Sequence, residues 1–318
     1  MERKIEREIS GLVGEILDDY KKDRSIDNIN IFDQPDKEVV IDILGKLRQI
    51  IFPGYFKNKA YRIYTAKNNL TMLLEDVFFY LNKQIMIVLR YDEKWVNATI
   101  EELSIQSYEI CMQFFKTIPK IREYIETDVQ AAYEGDPAAY NKDEIIFSYP
   151  GLYAIVVNRI AHELYNLSVP LIPRMMTEHA HSVTGIDIHP GAIIGKYFFM
   201  DHGTGIVIGE TTIIGEHVKV YQGVTLGALS TKGGQKLKSK KRHPTIRDNV
   251  TIYSGASILG GETVIEKDVV IGGNAFITKS IPAGTTVTVK NQESSYNYIT
   301  NSFHQTELEQ DENWFYVI

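Results

Sequence analysis

Asp187 and His202 stand fifteen residues apart, each inside a short run of turn-forming residues: Asp187-Ile188-His189-Pro190 and Asp201-His202-Gly203-Thr204-Gly205. A carboxylate that holds an imidazole in one tautomer and stabilises the imidazolium makes a general base able to take a proton from a hydroxyl. Asp201 adds a second acid, and the glycines let a ligand come close to the backbone. One histidine alone would read as a surface residue; two carboxylates and flanking glycines favour function. Further on, Arg242-His243-Pro244 supplies a guanidinium that can grip a substrate carboxylate in fork geometry. His179-Ala180-His181 has the look of a metal pair. Two histidines two apart at a helix end point in different directions, so no metal site is expected. Cys111 falls in a helical apolar stripe and reads as core rather than nucleophile.

These residues can converge only if the chain between them folds back at a regular step. From Ile188 the apolar residues recur every six: Ile188, Ile194, Met200, Ile206, Thr212, Val218 and Val224, then Ile246, Ile252, Ile258, Val264, Val270 and Phe276. Only Thr212 breaks the series, and glycines recur between its members. Neither a helix nor an ordinary hairpin has period six; a parallel β-helix of hexapeptide turns does. Three such sides make one coil, so residues about eighteen apart stack. The spacing therefore predicts Asp187 and His202 on adjacent coils at one corner. The stretch from Ser230 to Arg242, with Lys232, Lys236, Lys238, Lys240 and Lys241, has no apolar period and predicts an exposed loop thrown out of the coil. Its cations could meet an anionic ligand, although a charge run by itself is as readily a solvated loop.

Upstream the spacing is helical. Ile5, Ile9, Leu12, Val13, Ile16 and Leu17 form one stripe, and Val39, Ile41, Leu44, Leu47 and Ile51 form a second, opened by Asp33-Gln34-Pro35-Asp36 and closed by Phe52-Pro53-Gly54. Similar patterns cover roughly 66–90, 100–130, 150–166 and 170–182. The fold class is thus α+β, with an all-helical domain over 1–182, a β-helix over 183–290 and a polar, acidic tail over 291–318.

Composition narrows the function. The 318 residues are 44% hydrophobic and 24% charged, which excludes a mainly disordered chain and suits two domains. A net charge of −7 gives no general attraction to nucleic acid. One cysteine excludes an internal disulfide framework. No apolar run is long enough to span a bilayer, the N-terminus lacks a secretory pattern, and a cytoplasmic protein is expected.

With these residues in view, the sequence resembles the serine acetyltransferase family. The likeness rests on Asp136-Pro137-Ala138-Ala139, the two motifs around Asp187 and His202, Gly223-Val224-Thr225-Leu226-Gly227 and Arg242-His243-Pro244. It implies a left-handed parallel β-helix behind a helical domain. By the same resemblance His202 is the general base, Asp187 its orienting carboxylate, and Asp136, Asp201, Arg242 and His243 bind L-serine. Acetyl-CoA would be co-substrate, lying near Gly227, Ala228, Ser254 and Gly272, with no metal. The family implies a homotrimer with sites between neighbours, often a dimer of trimers through the helices, and inhibition by cysteine. Its C-terminal isoleucine, here Ile318, implies docking into O-acetylserine sulfhydrylase (cysteine synthase). The chain departs from the family pattern at Ala228, where a glycine is usual, in its longer basic loop, and at Val287-Thr288-Val289-Lys290-Asn291, which replaces the usual closing Gly-x-Pro-Ala. Two other readings stay open: a hexapeptide acetyltransferase for a sugar or xenobiotic hydroxyl, and a non-catalytic trimeric scaffold with a docking tail.

Overall fold

The computed structural model describes residues 1–22, 24–27, 34–56, 66–238 and 240–289. Lys290 and the tail with Ile318 lie outside them. Seven α-helices come first: α1 (Glu2–Tyr20), α2 (Lys37–Ile51), α3 (Ala66–Leu89), α4 (Ile100–Gly135), α5 (Lys142–Ser148), α6 (Pro150–Asn166) and α7 (Ile172–Thr184). α5 has no counterpart in the helical patterns of the sequence, because seven residues are too few to show a period. Asp36 caps α2 by accepting from the N–H groups of Glu38 and Val39, and Pro35 stays outside the helix. The buried face of α2 is Val40, Ile43, Leu44, Leu47, Ile50 and Ile51, so Val39 and Ile41 flank the predicted stripe rather than centre it. The apolar stripe of α1 is exposed along its whole length. No helix among the described residues is long and apolar enough to cross a membrane.

From Asp187 the chain winds as a parallel β-helix of three flat faces. The first face stacks β1 (Asp187–Ile188), β4 (Val207–Ile208), β7 (Thr225–Gly227), β10 (Ser257–Leu259) and β13 (Phe276–Ile277). The second stacks β2 (Ile193–Ile194), β5 (Ile213–Ile214), β8 (Thr245–Ile246) and β11 (Val264–Ile265). The third stacks β3 (Phe199–Asp201), β6 (Lys219–Tyr221), β9 (Thr251–Ile252), β12 (Val270–Ile271) and β14 (Thr286–Val287). Each strand sends one aliphatic side chain inward, and the columns are continuous: Ile188, Ile208, Leu226, Ile258 on the first face, Ile194, Ile214, Ile246, Ile265 on the second. Each such residue contributes about 1.5–3 kcal/mol when fully buried, so the period of six is a packing requirement.

The period slips twice, and the six-step series must be corrected at both places. Eight residues, not six, separate the successive inward positions Met200 and Ile208, so the first coil pairs Asp187 with Val207, twenty residues on. The two extra residues fall in the turn that carries His202. Beyond this turn Ile206, Thr212, Val218 and Val224 pack inward at the corners, while Ile208, Ile214, Val220 and Leu226 centre the strands. After Ile258 one further residue enters at Gly260, whose φ is +107°. Ile265, Ile271 and Ile277 then replace Val264, Val270 and Phe276 as the inward column, and Phe276 is 70% exposed.

The helices are tied to the coil through a buried ion pair whose two members also bond to coil backbone. Arg159 on α6 forks onto Asp128 of α4 at 2.6 and 2.8 Å. The same guanidinium donates to the carbonyls of Ile194 and Gly195, and Asp128 accepts the N–H of Phe198. The first coil is thereby fixed against α4 and α6.

Candidate active site

The turn between the third and first faces is one edge of the prism. Asp201 ends β3, and His202 follows with φ +56°, a left-handed conformation costly for a non-glycine residue. The surrounding backbone enforces it. Gly203 N–H donates to the Asp201 carbonyl at 2.6 Å, Gly205 N–H to that of Gly185 at 2.8 Å, and Gly223 N–H to that of Thr204 at 3.0 Å. The ring is thrown outward: the His202 side chain is 60% exposed, with Nε2 3.9 Å from Asp201 Oδ1.

Asp136 reaches this edge from the helical domain as the C-cap of α4. Gly135 makes the approach possible, because a Cβ there would fall within 2.6 Å of the Phe199 ring. Asp136 Oδ2 accepts from the Tyr149 hydroxyl at 2.5 Å and Oδ1 from Ala138 N–H at 2.8 Å. The Tyr149 bond is the main cause that holds the Asp136 carboxyl below the usual carboxylate range, with Ala138, Lys219 and His202 adding to it. Burial, followed by that same bond, pushes the Tyr149 phenol far up. Asp187, opening β1, lies at this edge one coil below, but its contact is with Arg174 at 3.6 Å. The ring of His202 and the carboxylate of Asp187 therefore do not form the predicted pair among the described residues. The two residues do lie on adjacent coils at one edge, as the spacing predicts, but the Asp187 carboxylate is turned to the Arg174 guanidinium.

Arg174 also pairs with Glu178. Glu178, His181 and Asp187 bring ligand atoms within 4.8 Å of one another. A metal ion there would compete with a guanidinium that already bridges both carboxylates. His179, by contrast, packs edge-on against Tyr153.

Arg242 and His243 sit at a different edge, between the first and second faces. Arg242 pairs with Glu210, which also accepts from the Tyr165 hydroxyl at 3.0 Å. Thr211 Oγ1 accepts the N–H groups of Arg242 at 2.9 Å and His243 at 3.1 Å. Thr211 N–H donates in turn to His243 Nδ1 at 3.0 Å, so the ring proton is left on Nε2. Burial, with help from Arg242 and Lys241, pushes the His243 imidazole down to about 4. It is thus a neutral Nε2–H donor at pH 7. His189 lies alongside, edge-on to Tyr165. Lys241 caps the carbonyls of Thr211 at 2.8 Å and Pro244 at 3.1 Å, which closes the base of the exposed basic loop.

One chain therefore splits the predicted set. Asp136, Asp201 and His202 converge at the first edge with Asp187 nearby, and Arg242 and His243 lie at the second. The predicted coenzyme residues split likewise: Gly227 and Ala228 lie at the Arg242 edge, Ser254 and Gly272 at the His202 edge. Cys111 is fully buried in the helical core and its thiol is pushed up to about 12. The sequence reading missed Tyr149, Lys219, Glu210 and Thr211. For the last two a signal existed: Ile213 pairs with Thr245, so removing the loop from the count puts Glu210 and Thr211 beside Arg242 and His243.

No protein-family profile matches the chain. A serine acetyltransferase encoded on a plasmid of Synechococcus elongatus is 44% identical over 257 residues, 79% of this chain and 80% of its own. The crystal structure of serine acetyltransferase isoform 3 from Entamoeba histolytica, in complex with cysteine, superposes with a TM-score of 0.69 at 34% identity, covering 90% of this chain and 93% of that one. A serine acetyltransferase solved in complex with CoA superposes at 0.50 and 26% identity, over 78% of this chain and 96% of that one. Identity of 44% across 79% of this chain, with the same helical region and left-handed coil as the solved relatives, places it in the serine acetyltransferase family.

Proposed function

We propose that the chain transfers the acetyl group of acetyl-CoA to the hydroxyl of L-serine, with His202 as general base. The observation that carries this is the convergence of Asp136 and Asp201 on the corner that turns His202 outward. Two carboxylates suit an ammonium group, and the imidazole beside them suits the hydroxyl two carbons away. His202 takes the serine Oγ proton as Oγ bonds to the thioester carbon; the C–S bond then breaks, and the departing thiolate takes the proton back as CoA thiol. A backbone N–H at Gly227 or Ala228 would hold the oxyanion. Asp187 is the orienting carboxylate in this reading, and it must then leave Arg174 when substrate arrives.

Arg242 and His243 belong to the same site if a neighbouring copy supplies them. A threefold assembly lays the His202 edge of one coil along the Arg242 edge of the next. Exposed Val207 and Phe276 on the first face, with Ile193 and Ile213 on the second, flank the Arg242 edge and support such cover. The fork of Arg242 and the Nε2–H of His243 then take the serine carboxylate, and Ser254 and Gly272 of one copy with Gly227 and Ala228 of the other line the coenzyme cleft. Cysteine, which differs from serine only in carrying sulfur at the γ position, fits the same groups and would compete. Within this reading the reaction takes place in the cytoplasm, and among the described residues no helix is long and apolar enough to cross a membrane. Docking of Ile318 into the sulfhydrylase rests on its sequence alone.

The test is release of CoA thiol from acetyl-CoA with L-serine, by wild type and by His202→Ala. A positioned base is worth about 10²–10⁴ in rate, so a folded, oligomeric His202→Ala should lose that much. Near-normal turnover in the variant would remove His202 from the role.

A further inference from the structure

Lys219 faces outward from β6, directly above Phe199 of β3. Its ammonium donates to the Gly135 carbonyl at 2.6 Å, the last residue of α4 before Asp136. It stands 3.9 Å from Asp201 Oδ2, and 5.0 and 4.9 Å from the centroids of the Phe199 and Tyr221 rings. One cation thus touches the helical domain, the strand that ends in Asp201 and the two aromatic rings between them. Without it, the two carboxylates that converge on His202 would form a site of charge minus two. With it, the site is minus one, the charge that a single substrate ammonium neutralises.

We propose that Lys219 is a positioning residue for acetyl transfer: it ties the Asp136 turn to the His202 corner and sets the charge against which the base works. The inference rests on the acetyl-transfer reading and adds a residue that reading does not contain. The titratable and charged groups at the His202 edge are Asp201 on β3, Asp136 at the end of α4, Tyr149 just before α6, Lys219 on β6, and the Asp187–Arg174 pair from β1 and α7. Lys219 is the cation that faces both substrate-side carboxylates; Arg174 is engaged with Glu178 and Asp187. An uncompensated carboxylate pair stabilises a neighbouring imidazolium, so the neutral ring that acts as base forms only at higher pH. Removal of Lys219 must therefore push the acid limb of the rate profile toward higher pH. A merely structural role would lower activity at every pH and leave the limb in place.

The experiment is the pH profile of kcat/KM for serine in the intact enzyme, comparing wild type with Lys219→Met, Lys219→Gln and Lys219→Arg. Loss of one unit charge paired to the carboxylate beside the base, in a partly solvated site, moves the limb by about half to one pH unit. Both neutral variants should show that upward shift, and Lys219→Arg, which keeps the charge, should hold the wild-type limb even if its rate falls. An unmoved limb in the neutral variants overturns the proposal, as does an equal shift in Lys219→Arg, which would trace the effect to packing between the rings. Wild-type turnover with serine, and its loss in His202→Ala, tests the underlying acetyl-transfer reading separately.

Discussion

The imidazole of His243 packs against Gly209, so closely that a Cβ added to that glycine would fall 2.1 Å from its Cδ2 and 2.2 Å from its Nε2. The side chain that Thr211 fixes from one side is thus seated by a missing side chain on the other. Gly209 has no positive φ, so alanine fits its backbone and the whole effect of Gly209→Ala is steric. The ring must move, at about 1–3 kcal/mol. We expect Gly209→Ala to fold, with KM for serine raised about fivefold to a hundredfold and a smaller change in KM for acetyl-CoA. Steady-state kinetics with each substrate varied in turn will check this; equal effects on both would argue against a serine-side role for His243.

The Tyr149 hydroxyl is the strongest influence holding Asp136 ionised. A hydrogen bond to a charged group contributes about 1.5–3 kcal/mol. Tyr149→Phe should raise KM for serine about tenfold or more while kcat stays within a few-fold of wild type, because the base is untouched. A fall confined to kcat would place Tyr149 in the chemical step instead.

Asp128 and Arg159 are buried together, and the guanidinium also holds two carbonyls of the first coil. Asp128→Ala strands that cation, and breaking a buried pair from one side typically costs about 3–5 kcal/mol. Urea unfolding followed by circular dichroism should show a loss of that size. The double change Asp128→Leu with Arg159→Met should recover much of it.

The depressed His243 imidazole makes stability depend on pH. The folded chain keeps the ring neutral down to about 4, and the unfolded chain protonates it near 6.5. Between these values the unfolded state binds more protons, so stability is complete above about 6.5 and falls as pH drops toward 4. One such group contributes at most about 1.4 kcal/mol per pH unit in that window. His243→Asn should flatten the decline of the melting temperature between pH 6.5 and 4.5. An unchanged decline would mean that the half-buried His162 and His189, which burial also holds below the usual imidazole range, dominate it.

Much of the architecture was legible because it is periodic. The six-residue step is a local steric demand, one aliphatic side chain inward per flat side, and it survives in the sequence wherever the sides keep their length. It failed where single residues were added: two before Ile208 shifted the column, and one at Gly260 moved Val264, Val270 and Phe276 off it. Those additions cannot be told from ordinary corner residues without knowing which amides pair. The turn holding His202 drew attention through its glycines and acids, whereas Lys219 looked like any outward lysine on a strand. Its importance comes from the end of α4, more than eighty residues away in the chain.

The sequence by itself determined the helix-then-coil order, the outward loop and the residue types able to bind an amino acid and move a proton, because these follow from short-range period, turn chemistry and side-chain functional groups. Tertiary structure decided which of those residues meet. It set Asp136 beside His202 through the Gly135 contact, turned Asp187 to Arg174, and placed Arg242 and His243 on another edge. Such distances are sums over every intervening turn, so one inserted residue redirects a side chain that no local pattern can follow.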